Sequence, residues 1–227
     1  MLIAIPKILD ADRLTMVRSV IDAGEWTGGT VTSGAQARLV KNNLQLPEDS
    51  EAATRAGQIV LAALQANPQF ISAALPHRLY PPMFNSYAGG QAFGNHVDNA
   101  LRVRAGTDWR VRADLSMTVF LDDPDSYDGG ELVIETDFGA QSVKLAAGDG
   151  VLYPASSLHR VEPVTRGRRR ASFFWVQSMV RDPTVRGNLY RMDQAIQSLA
   201  GQVGIDDPAI VALTGTYHNL LRHHADA

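Results

Sequence analysis

Apolar residues recur along this chain in two rhythms: helical at either end, and short, strand-like runs between. Residues 2–5 read as a short strand that stops at Pro6. From Asp10, a candidate N-cap, Leu14, Val17, Val20 and Ile21 return at helical spacing, and Gly24 closes the helix. Trp26 to Gly34 is turn-rich and predicts a strand pair around Gly28-Gly29, and Lys41 to Pro47 reads as extended or looped. Ser50 then caps a helix that runs through Ile59, Leu61 and Leu64 to about Ala66. A shorter helical piece follows from Gln69 to Ala74, ending before Pro76.

From Arg78 the rhythm changes to short β-type runs separated by Gly, Pro and Asp. They are Leu79–Tyr87, His96–Arg104, Arg112–Leu121, Glu131–Glu135, Gln141–Leu145, Gly150–Tyr153, His159–Val164 and Arg169–Met179. Eight such runs are the number of a jelly roll. Beyond Arg181, Asn188–Leu199 and Pro208–His223 return to helical periodicity, with Asp207 as N-cap and Pro208 at the first helical position. The pattern predicts an α+β chain: an N-terminal support region of helices and strands over 1–77, a jelly-roll core over 78–180 and a C-terminal helical segment over 181–227.

Composition narrows the function classes. The chain has 227 residues, 45% of them hydrophobic, which suits one good-sized core. Its formal net charge of -3 gives no global attraction for nucleic acid. There is no cysteine, which excludes disulfides, thiolate nucleophiles and Cys-ligated metal sites. The opening apolar run is broken by Pro6 and Lys7 and does not read as a signal peptide, and no run is long enough to span a membrane, so a cytoplasmic setting is expected.

The chemistry concentrates at His96-Val-Asp98, in a stretch where Gly89, Gly90 and Gly94 exclude a regular helix. An imidazole and a carboxylate two residues apart share one face of a strand, roughly 6.5–7 Å apart at Cα, so the pair is expected to chelate from a strand. His159 is the candidate third ligand, and two His with one carboxylate suit Fe(II) with one face open. The same three donors plus a water would satisfy zinc. Arg169, ten residues beyond His159 and at the start of an apolar run, is a candidate bidentate receptor for a carboxylate and argues against a zinc hydrolase.

These residues, with Lys41-Asn-Asn-Leu-Gln-Leu-Pro47, Phe84-Asn-Ser-Tyr87, Asp128-Gly-Gly-Glu-Leu132 and Ala171-Ser-Phe-Phe-Trp-Val-Gln-Ser178, resemble the Fe(II)/2-oxoglutarate dioxygenases. Within them the chain is most similar to the PKHD-type hydroxylases, the PiuC/YbiX group, relatives of the prolyl hydroxylases. The resemblance implies a double-stranded β-helix, Fe(II) on His96, Asp98 and His159, and 2-oxoglutarate as co-substrate with its distal carboxylate on Arg169. It implies a hydroxylase that consumes O2, releases succinate and CO2 and is kept active by L-ascorbate, with a small-molecule or protein substrate and a link to iron acquisition. Tyr87 is a second candidate for the distal carboxylate, and Asn85, Trp175 and Gln177 are candidate cavity lining. Two other readings stand beside this one: an AlkB-type nucleobase demethylase, disfavoured by the acidic balance, and a jelly-roll binding module that kept its metal without turnover. A homo-oligomer stays open.

Neighbouring signals read as structure. Asp123 to Gly130 fails the EF-hand pattern, because Tyr127 occupies a ligand position, and reads as a turn into the strand at Glu131. Gly148-Asp-Gly150 reads as a hairpin turn. The C-terminal His218, His223 and His224 read as solvated helix residues that do not reach the metal. Arg168, Arg169 and Arg170 are adjacent, and alternation puts Arg169, Ala171, Phe173 and Trp175 on one face of their strand. The step from Arg170 to Ser172 resembles the Arg-x-Ser signature of plant-type relatives and would select Arg170. The prolyl-hydroxylase pattern selects Arg169, and the rest of the chain follows that pattern. Arg169 is therefore expected inside the barrel, with Arg168 and Arg170 facing solvent.

Overall fold

A computed structural model describes residues 1–29, 38–104 and 106–226. Of the strand pair expected over Trp26 to Gly34, the part beyond Gly29 lies outside these residues. Local capping chemistry sets the helices. Asp10 accepts from Arg13 N–H and starts α1 (Ala11–Asp22), and Ser50 accepts from Ala53 N–H and starts α2 (Glu51–Gln65). Asn67 caps α3 (Pro68–Ala74). Asp182 and Asp207, each followed by a proline in the first turn, start α4 (Pro183–Val203) and α5 (Pro208–His224).

Two antiparallel sheets face each other. Four strands form the middle of the larger one, in the order β14 (Gly150–Pro154), β10 (Leu115–Phe120), β17 (Arg168–Ser178) and β6 (Met83–Ala88). The smaller sheet runs β13 (Gly139–Val143), β12 (Leu132–Thr136), β15 (His159–Val161), β7 (Ala92–His96) and β3 (Lys41–Asn42). Seven of the eight strands other than β3 overlap runs expected for the jelly roll, while β7 shares only His96 with the expected run His96–Arg104. The N-terminal region also joins the sheets. The larger sheet is extended by β1 (Ile3–Ile5) beside β14, and by β4 (Leu44–Gln45) and β2 (Thr27–Gly28) beyond β6, while β5 (Pro76–Leu79) pairs with β17.

Both faces of the larger sheet are buried, against different material. Leu115, Met117, Val119, Phe84, Phe174 and Val176 pack against Val17, Ile21, Ala53, Ala56 and Val60 of α1 and α2. Tyr87, Phe120, Val151 and Tyr153 alternate to the other face and meet Leu132, Ile134 and Val161 of the smaller sheet. The C-terminal helices bury Leu189 and Tyr217 against Leu75 and Val180.

Several strand limits differ from the expectation. The run Leu79–Tyr87 is cut at Pro81-Pro82 into β5 and β6, since proline offers no ladder donor. His159–Val164 is likewise cut before Pro163, and β16 (Val164–Arg166) pairs instead with β11 (Asp128–Gly129). The expected strand His96–Arg104 is corrected most: β7 ends at His96, and Asp98 lies in the loop beyond it. Farther on, β8 (Leu101–Val103) forms a separate hairpin with β9 (Arg110–Arg112). No helix among the described residues is long and apolar enough to cross a membrane.

Candidate metal centre

The smaller sheet brings the two histidines together. His96 ends β7 and His159 begins β15, and they are direct partners in the antiparallel register, with ring centroids 4.2 Å apart. Each ring is fixed from behind by a carbonyl two residues earlier: His96 Nδ1 lies 2.8 Å from Gly94 O, and His159 Nδ1 lies 3.0 Å from Ser157 O. A carbonyl only accepts, so each Nδ1 carries the proton and each Nε2 keeps its lone pair for the cleft. Phe93 stacks on the His96 ring at 3.5 Å. Burial, and then the neighbouring His159, push His96 down to about 4, so the metal-free ring is neutral at physiological pH.

Asp98 is not held by a strand. Its Oδ2 accepts from Ser116 Oγ at 2.6 Å, across from β10 of the opposite sheet, and lies 3.8 Å from His159 Nε2. The ligand atoms of His96, Asp98 and His159 all lie within 4.8 Å of one another. Two imidazoles and one carboxylate converging on a cleft are a donor set that fits Fe(II).

Behind this triad lies Arg169, 1% exposed, its guanidinium between the rings of Tyr87 at 5.4 Å and Phe120 at 5.2 Å. Its Nε and Nη1 have no hydrogen-bond partner among the described residues, an arrangement that suits an incoming carboxylate. Gly130 makes room for it: a Cβ there would sit 2.9 Å from Arg169 Cδ, and φ is +68°. Burial pushes Tyr87 up to about 12, so its phenol is a hydrogen-bond donor at neutral pH. Arg169, Tyr87, Asn85 and Trp175 line the same cleft as the triad.

The other candidates lie elsewhere. Gln177 is absent from that wall, its Oε1 accepting from Arg112 N–H and tying β9 to β17. Arg168 is exposed, but Arg170 does not face solvent as expected. It is 7% exposed on the helix-covered face of β17, where its guanidinium meets Asp122 Oδ1 at 2.6 Å and Asp22 Oδ1 at 2.6 Å. The alternation was right; what covers that face is α1, so the side chain needed carboxylates rather than water. His218, His223 and His224 are exposed on α5 and take no part in the cluster. Sequence reading passed over Ser116, Lys41 and Arg102, all on the cleft wall. Ser116 and Thr118, polar residues alternating with apolar ones in β10, were the legible signal.

Residues 82–177 match the 2OG-Fe(II) oxygenase superfamily, and residues 184–226 match the PKHD-type hydroxylase C-terminal domain. A PKHD-type hydroxylase of Rhizorhabdus wittichii is 59% identical over the full length of both chains, and one of Burkholderia thailandensis is 56% identical over the same span. The chain belongs to the PKHD-type hydroxylases. It is thus an oxygenase of the hydroxylase type, in a superfamily that works with Fe(II), 2-oxoglutarate and O2. Among solved structures, a Pseudomonas putida prolyl-4-hydroxylase superposes with a TM-score of 0.53 at 20% identity, covering 78% of this PKHD-type chain and 92% of that one. A Trichoplax adhaerens prolyl hydroxylase, solved with a hypoxia inducible factor peptide fragment, superposes with a TM-score of 0.58 at 14% identity, covering 78% and 83%. At that distance the likeness carries the jelly-roll fold alone.

Proposed function

We propose that His96, Asp98 and His159 hold Fe(II), that Arg169 and Tyr87 receive the distal carboxylate of 2-oxoglutarate, and that the PKHD-type chain hydroxylates a C–H bond of an organic substrate. The carrying observation is that a converging two-His-one-carboxylate set shares one cleft with a buried guanidinium whose Nε and Nη1 have no hydrogen-bond partner among the described residues. When bound, the iron supplies oxygen activation, coupling decarboxylation of 2-oxoglutarate to succinate and CO2 with insertion of one oxygen atom into the substrate. L-Ascorbate belongs to this proposal as the reductant that keeps the metal ferrous.

The protein's share is placement. The backbone carbonyls of Gly94 and Ser157 hold the imidazoles in the tautomer that presents Nε2, and Ser116 aims the carboxylate. Arg169 forms a charge-assisted, forked contact at the closed end of the cleft, and Tyr87 donates beside it, which fixes the co-substrate end for end. Phe120 and Tyr87 sandwich the guanidinium and exclude water from that contact.

The test is anaerobic titration with Fe(II), then with 2-oxoglutarate, followed by a metabolite and peptide screen for O2-dependent succinate release. The expected result is 2-oxoglutarate binding that requires the metal and is lost in Arg169→Met. Binding that ignores both the metal and Arg169 would overturn the proposal.

A further inference from the structure

The cleft wall carries a buried amide that neither the triad nor the Arg169 contact uses. Alternation along β6 turns Met83, Asn85 and Tyr87 to the cleft side and Phe84 and Ser86 to the helix side. Met83 belongs to one apolar cluster with Tyr80 and Trp175, and Tyr87 to another with Phe120 and Tyr153. Asn85 stands between the two, lines the cleft and is 8% exposed. Its Oδ1 is buried with no hydrogen-bond partner among the described residues. Its neighbour on β4, Gln45, is engaged by Lys41, with Oε1 accepting from Nζ at 2.7 Å.

The strand register puts this amide beside the expected co-substrate. Tyr87 pairs with Arg169 across β6 and β17, and Asn85 pairs with Ala171 in the next cleft-facing row. One such row is a step of roughly 6.5–7 Å, within which an amide reaches a carboxylate held by Tyr87 and Arg169. Ala171 is the smallest side chain in the row of Arg169, Ala171, Phe173 and Trp175, so β17 sets only a methyl group beside Asn85. A buried amide oxygen without a donor is unfavourable, and a half-turn of the amide exchanges it for Nδ2 with its two N–H donors. A carboxylate ligand, which only accepts, selects that second orientation. Being neutral, the amide adds a donor without cancelling the charge of Arg169.

We infer that Asn85 is a further binding residue of this PKHD-type hydroxylase, its amide N–H donating to the distal carboxylate of 2-oxoglutarate beside Arg169 and Tyr87. It thereby helps select a 2-oxo acid that ends in a carboxylate. This inference rests on the co-substrate reading above.

The experiment uses the full chain loaded anaerobically with Fe(II) and titrates two 2-oxo acids calorimetrically. One is 2-oxoglutarate. The other is 2-oxovalerate, which keeps the 2-oxo acid end and the chain length but carries a methyl group in place of the distal carboxylate. Asn85→Ala is expected to bind 2-oxoglutarate about tenfold more weakly than the wild type, the effect of one hydrogen bond to a charged group. Its affinities for Fe(II) alone and for 2-oxovalerate should stay within about twofold, which a general loosening of the wall would not allow. Asn85→Asp, nearly the same shape with a negative charge, should lose about a hundredfold or more for 2-oxoglutarate, because it pairs with Arg169 and repels the incoming carboxylate. The inference is overturned if Asn85→Ala holds 2-oxoglutarate as the wild type does, or weakens both ligands equally. Where 2-oxovalerate binds too weakly to titrate, Asn85→Asp decides: 2-oxoglutarate bound as tightly as in Asn85→Ala, or more so, also overturns it, and weaker binding supports it. Absence of metal-dependent 2-oxoglutarate binding in the wild type is a different result: it removes the underlying reading and this inference with it.

Discussion

Asp98 lies past the end of β7 and leans on Ser116 of the opposite sheet, so one hydrogen bond aims the carboxylate. Removing that donor in Ser116→Ala should weaken Fe(II) binding by about 10–100-fold without unfolding the chain, the usual cost of losing a group behind a ligand. Asp98→Ala should cost more and abolish succinate formation. Anaerobic metal titration with circular dichroism as the folding control checks both, and wild-type affinity in either variant would contradict the assignment. One position further along β17 separates two different arginines. Arg169→Met should raise the 2-oxoglutarate KM steeply with little change in stability, because on the proposed reading its Nε and Nη1 receive the co-substrate carboxylate. Arg170→Met should leave the KM alone and destabilise by about 3–5 kcal/mol, because it strands the buried Asp122 carboxylate. Urea melts beside KM measurements separate the two outcomes.

Among elements, helix starts follow short-range chemistry. Ser50→Ala should cost α2 about 1 kcal/mol, read as a shift in the urea midpoint. The C-terminal helices act by packing, so Leu189→Ala should destabilise by about 2–5 kcal/mol while leaving the 2-oxoglutarate KM unchanged. What the sequence made legible divides along the same line. Asp10, Ser50 and Asp207 announced their helices because a cap and its donors lie within three residues. Seven of the eight β runs were legible because alternation is local, but their ends were not, since Pro81-Pro82 and Pro163 act through ladder bonds to distant partners; the run His96–Arg104 breaks into the end of β7, a loop and β8. The His96–His159–Arg169 constellation could be named from ordered motifs. The support of Asp98 by Ser116, the approach of Lys41 and Arg102 to one cleft, and the cover that α1 gives Arg170 depend on which strands pair and which layer lies above them. Leu199, placed in the helical apolar stripe by spacing, is 36% exposed for the same reason.

For the molecule as a whole, the proposed metal would compete with the proton for the His96 ring. In the metal-free chain His96 is held down to about 4 against an ordinary 6.5, chiefly by burial, so the unfolded chain takes up its proton first as pH falls. Stability fully present above pH 6.5 is therefore expected to decline toward pH 4. Added Fe(II) should raise Tm with metal concentration near neutrality and progressively less through the same window. Anaerobic thermal melts over pH 4–8, with and without metal, test the sign; a metal-free Tm that rises on acidification would contradict it.

β17 has a different consequence for how such a chain can change over time. Arg169 faces the cleft with Nε and Nη1 unpartnered among the described residues, and Arg170 faces the carboxylates of Asp22 and Asp122 on the other side. Substitutions along the strand act one at a time, but a single inserted or deleted residue just before Arg169 exchanges the two environments at once. Length variation should therefore be purged from Arg168–Ser178 while being admitted freely at the β12–β13 turn, where Phe138 is 96% exposed. A one-residue insertion library scored for soluble, 2-oxoglutarate-binding protein would show β17 as a gap and that hairpin as a peak.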